Sequence, residues 1–133
     1  LRQHLVGGPC RALMLDMKLQ VDERIFYPDV LVTCSPADRQ QSLVKREPVL
    51  IVEVLSHSTA AYDRGDKFSH YRRIESLREL ALIDPATRRS DVYRKGADGL
   101  WVLHPFEPDE GIELASVQLA IDAATLFAEV DEA

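Results

Sequence analysis

One apolar segment, interrupted by a single acid, constrains this chain more than any other feature. In PVLIVEVL, residues 48–55, every side chain is apolar except that of Glu53. A run of this kind is typical of a strand that is buried on both faces of a sheet. A carboxylate in such a strand is costly unless it is hydrogen-bonded, paired with a cation or bound to a metal. Any function inferred from the sequence must therefore account for Glu53.

The segments that follow predict an α/β (α+β) domain built on a mixed central sheet. A helix over about 60–75, capped by Ser58 or Thr59, comes after the apolar strand. The next apolar strand lies at 79–85. Because the helix would cross over between the two strands, we expect them to pair in parallel.

The other elements are predicted from alternation and from turn residues. They are strands at 15–21 and 27–34, an exposed polar loop at 35–47, a hairpin at 90–104 that turns between Gly96 and Gly99, a last strand within 112–121 and a short closing helix at 123–130. We interpret residues 1–133 as a single domain.

Composition limits the classes of function. The chain has 133 residues, 46% of them hydrophobic, and a formal net charge of -6, which argues against a protein that coats DNA by bulk electrostatics but allows a local basic groove. We interpret basic pairs such as Lys45-Arg46 and Arg94-Lys95 as solvated surface. For Cys10 and Cys34, which lack metal-ligand spacing, we expect free thiols in a reducing cytoplasm. No apolar run is long enough to cross a bilayer.

A second acid stands near the predicted position of Glu53. Asp29 begins the strand at 27–34, directly after Pro28, and strands consecutive in sequence are usually neighbours in a sheet. Asp29 and Glu53 could therefore converge, and two close carboxylates need a proton or a cation between them. Mg²⁺ suits such a pair. The alternative is that Glu53 reaches solvent or an arginine near the end of its strand, with Asp29 an ordinary turn residue.

The predicted helix contributes a lysine to the same region. At 100° per residue, Lys67, Tyr71 and Ile74 fall on the face that should pack on the sheet, with Asp63 beside them. A lysine directed at the carboxylate of Glu53 would complete a site. Alternatively, Lys67 extends past Tyr71 to water or pairs only with Asp63, four residues earlier.

These motifs resemble a known family. YPDVLV, PVLIVEVLSHST, DRGDKFSHY and ELALIDP, within roughly residues 12–127, are similar to the Uma-type restriction endonucleases, a branch of the PD-(D/E)XK nuclease superfamily. The resemblance implies a restriction-endonuclease-like mixed sheet with a crossover helix after the third strand. It also implies metal-dependent hydrolysis of DNA phosphodiester bonds and a homodimer. The family has a helical N-terminal segment of which residues 1–5 resemble only the tail, so we expect this chain to lack that segment.

The resemblance also assigns roles to individual residues. By this analogy Asp29 and Glu53 bind Mg²⁺, for which Mn²⁺ can substitute, and the backbone carbonyl of Val54 is an extra ligand. The superfamily's usual lysine position, two residues after the acid, holds Leu55 in this chain, and Lys67 from the following helix takes that part in activating water. Asp63 then holds Lys67, and Tyr71 forms a wall of the site.

Two rival interpretations stay open at this point. The first is a catalytically inactive module with the same fold that binds DNA or supports assembly. The second is a buried ion network of Asp29, Glu53 and Lys67 with no metal. The hairpin at 90–104 is a candidate dimer interface, although Trp101 within it is equally an ordinary core residue.

Overall fold

The structure is a computed structural model, and it describes residues 2–14, 17–41, 44–56 and 63–127. These residues form eleven strands, numbered in chain order: β1 (Arg11–Met14), β2 (Lys18–Val21), β3 (Arg24–Phe26), β4 (Val30–Thr33), β5 (Val44–Lys45), β6 (Pro48–Val54), β7 (Glu79–Asp84), β8 (Arg89–Lys95), β9 (Trp101–Phe106), β10 (Ile112–Leu114) and β11 (Leu119–Ile121). Six of them make the central sheet, in the order β1-β4-β6-β7-β8-β9.

Helical segments are short. They are α1 (Arg2–Leu5), α2 (Pro36–Arg39), a π-helical turn (Asp63–Lys67) that leads into α3 (Phe68–Tyr71), a 3₁₀ turn (Ala115–Val117) and α4 (Ala123–Leu126). The Ser35 hydroxyl accepts a hydrogen bond from the first turn of α2, and Asp122 does the same for α4. In the described ranges, no helix has the length and apolar character needed to span a bilayer.

The central sheet confirms the predicted mixed α+β fold. Strands β6 and β7 are parallel, with Leu50 opposite Glu79 and Val54 opposite Ile83, while every other neighbouring pair in this sheet is antiparallel. The chain returns from the end of β6 to the start of β7 through the π-helical turn and α3, which is the predicted crossover. The hairpin between β8 and β9 turns at 96–99, also as predicted.

Apolar layers cover both faces of the central sheet, which explains why β6 is apolar at every position except Glu53. On one face Leu50 and Val52 pack in a cluster that includes residues of β10 and α4's neighbour Phe127. On the other face Ile51 packs with residues of β2 and with Tyr71 of α3. Glu53 points to this second face, because side chains alternate along a strand.

The helix predicted over 60–75 ends earlier than expected, and its described part is not α-helical throughout. Its described part begins with a π-helical turn, and α3 ends at Tyr71. The chain turns there because it must bring Arg78 to the start of β7, where its N–H donates to the carbonyl of Val49. The predicted cap residues Ser58 and Thr59 lie outside the described residues. The closing helix predicted at 123–130 is present as α4, but it ends at Leu126 with Phe127 as its C-cap.

Two segments, 35–47 and 112–121, differ from their predicted structure. Residues 35–47 contain α2 and β5, and Asp38 is buried there, because its carboxylate accepts hydrogen bonds from the Thr33 hydroxyl and from the main-chain N–H groups of Arg46 and Glu47. The segment 112–121 adds no strand to the central sheet. It forms the separate β10–β11 hairpin, since the chain reverses at Gln118, which has a left-handed φ of 55°.

The prediction of free thiols is also wrong. Cys10 and Cys34 form a disulfide. Cys10 precedes β1 and Cys34 follows β4, and the antiparallel register pairs Arg11 with Thr33, so the two cysteines come next in that register. Their separation of 24 residues in sequence disappears once the strands pair.

Candidate active site

Two acids meet where β4 begins and β6 ends. The antiparallel register places Val30 opposite Val52, so Asp29 and Glu53, the adjoining residues, lie side by side. The Val54 N–H donates to Oδ2 of Asp29 at 2.7 Å, which fixes this carboxylate against the peptide that follows Glu53. The predicted convergence of the two acids is therefore present in the fold.

Two side chains from the crossover segment contact Glu53. Lys67 Nζ donates to Glu53 Oε2 at 3.1 Å, and the Tyr71 hydroxyl donates to Glu53 Oε1 at 3.0 Å. Glu53 is 3% exposed, and Tyr71 is fully buried with its ring edge-on to Phe26 at 5.2 Å between centroids. The carboxylate is thus held at both oxygens.

The helical geometry that delivers Lys67 differs from the one we predicted. Lys67 is the last residue of the π-helical turn, and Tyr71 is the last residue of α3. Single π-helical turns recur at functional sites because they change which side chains share a face. Here Lys67 and Tyr71 still reach one carboxylate. The side chain of Asp63, the predicted partner of Lys67, lies outside the described part of the structure.

Glu53 has a strongly perturbed acidity. Burial raises its pKa to about 7, and the neighbouring negative charge of Asp29 acts in the same direction. Lys67 and the Tyr71 hydroxyl oppose this by stabilising the carboxylate, which lowers the pKa, but they do not outweigh burial. Near neutral pH the group therefore stands between its charged and uncharged forms, as expected where a proton or cation is to be exchanged.

This acidity predicts that metal-free protein loses stability as pH rises from about 4.5 to about 7. Over that interval folded Glu53 keeps a proton that the unfolded chain has released, so each rise in pH favours unfolding, by about 3 kcal/mol in total. Urea denaturation across the interval, in parent and Glu53→Gln, measures the effect. The variant should lack this component, and parallel curves for the two proteins would contradict the assignment.

The donor set of the site fits Mg²⁺. The site contains two carboxylates and one ammonium, that of Lys67, so its carboxylates outnumber its cations. Oδ1 of Asp29 has no hydrogen-bond partner within the described ranges. Mg²⁺ binds through one or two carboxylates and keeps several waters. No cluster of three or more His, Cys, Asp or Glu suited to a metal occurs among the described residues. Asp29 and Glu53 would therefore need water to complete the coordination, and the Val54 carbonyl stays a predicted extra ligand.

The sequence did not reveal the second contact to Glu53. We predicted Tyr71 as a wall of the site, whereas the structure makes it a hydrogen-bond donor to the carboxylate. The signal available was its position four residues after Lys67 on the buried face. A tyrosine hydroxyl in a buried position usually finds a partner, and Glu53 was the polar group within reach.

The fold and these acids define a restriction-endonuclease-like α+β domain. A solved structure supports that class: a protein described as "a putative nuclease belonging to DUF820" from Anabaena variabilis has a TM-score of 0.73, at 19% identity, over 91% of this chain and 69% of the other. A family model described as "Uma2: Putative restriction endonuclease" matches residues 1–125. The chain belongs to this family, which confirms the predicted resemblance.

Two curated relatives come from Synechocystis. "Uncharacterized protein slr1290" is 37% identical over 126 residues, covering 93% of this chain and 66% of the relative. "Uncharacterized protein sll1609" is 42% identical over 93 residues, covering 66% of this chain and 52% of the relative. The chain therefore spans about two thirds of one relative's length and about half of the other's.

Proposed function

We propose that this domain is a metal-dependent endonuclease that hydrolyses phosphodiester bonds of DNA. The observation that carries the proposal is the approach of Lys67 Nζ to within 3.1 Å of Glu53, beside Asp29, at one end of the sheet. Two carboxylates and a cation are the groups that metal-assisted attack of water on a phosphodiester requires. Membership of a family named for restriction endonucleases supports the same reaction class.

Each residue has a distinct part in the proposed reaction. Asp29 and Glu53 hold Mg²⁺, which when bound supplies Lewis-acid polarisation of a phosphoryl oxygen and acidifies water. Lys67 orients or deprotonates the attacking water, or stabilises the charge that develops on the phosphoryl oxygens. The water oxygen bonds to phosphorus as the bond to the leaving sugar oxygen breaks. The water loses a proton, to Lys67 where this is a neutral amine and otherwise to solvent, and the leaving oxygen takes up a proton from solvent. Asp63 is proposed to direct Lys67.

Tyr71 positions the carboxylate in this scheme, which gives a direct prediction. Tyr71→Phe removes the hydrogen bond to Glu53 Oε1, so Mn²⁺ affinity should fall about 10-fold to 100-fold, as for other residues that orient a ligand. Calorimetric titration measures this. Tyr93→Phe is the matched control, because its ring packs on Phe68 and its hydroxyl has no hydrogen-bond partner in the described ranges. Equal affinities in both variants would refute a positioning role.

The metal site is tested by titrating Mn²⁺ into the parent and into Glu53→Gln, followed by plasmid cleavage with both. We expect binding and cleavage in the parent and neither in the variant, because the amide keeps the shape of Glu53 but cannot carry its charge. Glu75→Gln, at an exposed residue, is the matched control and should behave as the parent. Equal heats in parent and Glu53→Gln would overturn the proposal.

One observation favours a second candidate, a nuclease-fold module without catalysis. Both oxygens of Glu53 already accept hydrogen bonds from Lys67 and Tyr71, so a buried ion network could compensate the carboxylate without a metal. Such a module could still bind DNA or support assembly. The absence of any Mn²⁺ heat together with retained DNA binding would select this candidate over the nuclease.

We also propose a homodimer and a cytoplasmic location, as the resemblance implies. The candidate interface is the edge strand β9, where Val102 and Leu103 are exposed, while Trp101 packs edge-on against Phe68. Light scattering of the purified chain measures the dimer directly, and a monomer mass at working concentration would refute it. A reducing cytoplasm would open the Cys10–Cys34 disulfide, so thiol labelling of protein in intact cells tests the location.

A further inference from the structure

A small cavity away from the candidate active site collects positive charge. It has a volume of about 200 Å³ and lies between β1, the end of β4, α2 and β5. Arg11, Arg39 and Lys45 line it, and we call it the basic cavity. No acidic side chain is among the described residues that line it. Three cations around one cavity are unexpected in a chain with a net charge of -6.

Main-chain carbonyls, and no carboxylates, hold these three cations. Arg39 donates to the carbonyl of Pro9 at 2.8 Å, and Arg11 donates to that of Gly8 at 2.7 Å. Lys45 Nζ donates to the carbonyls of Asp38 and Gln41. Within the described ranges none of the three forms an ion pair. Carbonyl dipoles orient a cation without cancelling its charge, so the cavity keeps a strong positive potential.

The buried acid Asp38 is not among the residues that line the basic cavity. The Asp38 carboxylate is engaged by the Thr33 hydroxyl and by two main-chain N–H groups, those of Arg46 and Glu47. Lys45 is only 6% exposed, which corrects our prediction that the Lys45-Arg46 pair is solvated. A buried ammonium without a paired anion is costly, and an anion bound in the cavity would reduce that cost.

Size and donor chemistry indicate which anion fits. At about 200 Å³ the cavity is smaller than the sites that enclose drug-sized ligands, so a small ion or a single group suits it. Two guanidinium groups offer the forked donors that match phosphate oxygens. The Ser35 hydroxyl also lines the cavity. It accepts from the Asp38 N–H, and its own proton has no acceptor in the described part of the chain.

We propose that the basic cavity binds a phosphoryl oxyanion, supplied either as free phosphate or as a phosphate group of a nucleic acid. A larger cavity, of about 620 Å³, is a weaker candidate, because its three arginines are matched by Asp22, Glu47 and Glu75. The basic cavity is also separate from the candidate active site. Thr33, on its wall, is four residues along the strand direction from Asp29, or about 13 Å.

The test is calorimetric titration of inorganic phosphate at constant ionic strength, in EDTA so that no metal takes part. We expect saturable binding to the parent and at least a 10-fold weaker affinity in Arg39→Gln. Arg39 is exposed, so this variant should fold, and Lys45→Met is a second variant. Arg72→Gln, at an exposed arginine outside the cavity, should bind as the parent does. No saturable heat in the parent, or equal affinity in Arg39→Gln and Arg72→Gln, would overturn the proposal.

A second arm distinguishes the two sources of phosphate and does not depend on cleavage. A short DNA duplex is titrated in EDTA into the parent, Arg39→Gln and Arg72→Gln. Weaker DNA binding in Arg39→Gln alone, together with competition between added phosphate and DNA in the parent, would assign the cavity to a nucleic-acid phosphate. Unchanged DNA binding with lost phosphate binding would assign it to the free ion. Failure of the nuclease proposal would leave both readouts intact, because neither involves Glu53.

Discussion

Replacing Lys67 by methionine should lower the rate of plasmid cleavage by about 10² to 10⁴, with the fold retained. Methionine keeps the length and the apolar stem of lysine but removes the ammonium that lies 3.1 Å from Glu53 Oε2. In the proposed reaction that charge orients water or stabilises the transition state, and no other cation contacts Glu53 in the described ranges. The measurement is cleavage of supercoiled plasmid at saturating Mg²⁺.

The pH profile separates a chemical role of Lys67 from a structural one. Lys67 lowers the pKa of Glu53, so in Lys67→Met the carboxyl should keep its proton to higher pH, and Mn²⁺ binding should require a more alkaline solution. Lys18→Met, at an exposed lysine of β2, is the matched control and should leave both rate and profile unchanged. A Lys67→Met protein that cleaves at the parental rate would refute the proposed role.

The sequence predicted the centre of the fold because burial on both faces leaves a local signature. The apolar run of β6, interrupted only by Glu53, requires two covered faces, and strands of this kind are typical of parallel pairs joined by a crossover. For residues 35–47, local polarity gave a wrong prediction of an exposed loop. Asp38 and Lys45 are buried there by hydrogen bonds to distant main chain, and local polarity carries no sign of those partners.

The site was predictable to the extent that it depends on register and on helical spacing. Asp29 meets Glu53 because neighbouring strands in sequence are neighbours in the sheet. Lys67 reaches the carboxylate although its turn is π-helical and not α-helical, because Tyr71 and Ile74 still anchor the segment in the apolar layer under the sheet. The hydrogen bond from Tyr71 depends on where a hydroxyl ends within that layer, and spacing alone does not determine it.

A second buried acid, Glu79, shows that a carboxylate in a buried strand does not by itself indicate a metal site. Glu79 begins β7 in an apolar run much like that of β6, and it is 1% exposed. Its carboxylate accepts from Arg94 Nε at 2.7 Å and from the N–H groups of Ala115 and Ser116 at 3.0 and 2.6 Å. An acid in a buried strand therefore indicates compensation, and only its partners decide whether that compensation is structural. Arg94, predicted as solvated surface, is one of these partners.

Glu79→Gln should lower the free energy of unfolding by about 3–5 kcal/mol, the cost of breaking a buried ion pair from one side. The amide keeps only one acceptor oxygen, so either the Ser116 N–H, or both Arg94 and the Ala115 N–H, face an NH₂ group and lose their partner. The 3₁₀ turn joins β10 to β11. Leu114, just before the turn, and Val117, within it, are buried in the apolar cluster on one face of the central sheet, so the β10–β11 hairpin should loosen from that sheet. Urea denaturation measures the loss, and hydrogen exchange of the Ala115 and Ser116 amides should accelerate with it.

The matched control for this prediction is Glu113→Gln, in β10. The Glu113 side chain is exposed, and only its main-chain carbonyl accepts from Arg94, so the substitution should change the free energy of unfolding by less than about 0.5 kcal/mol. A Glu79→Gln effect as small as that of the control would mean that water replaces the lost acceptor. Glu79 lies three residues along β7 from Leu82, the residue opposite Glu53 in the sheet. Mn²⁺ affinity, measured below the unfolding transition, should therefore be unchanged in Glu79→Gln. This result would distinguish an acid that stabilises the fold from one that is proposed to bind a metal.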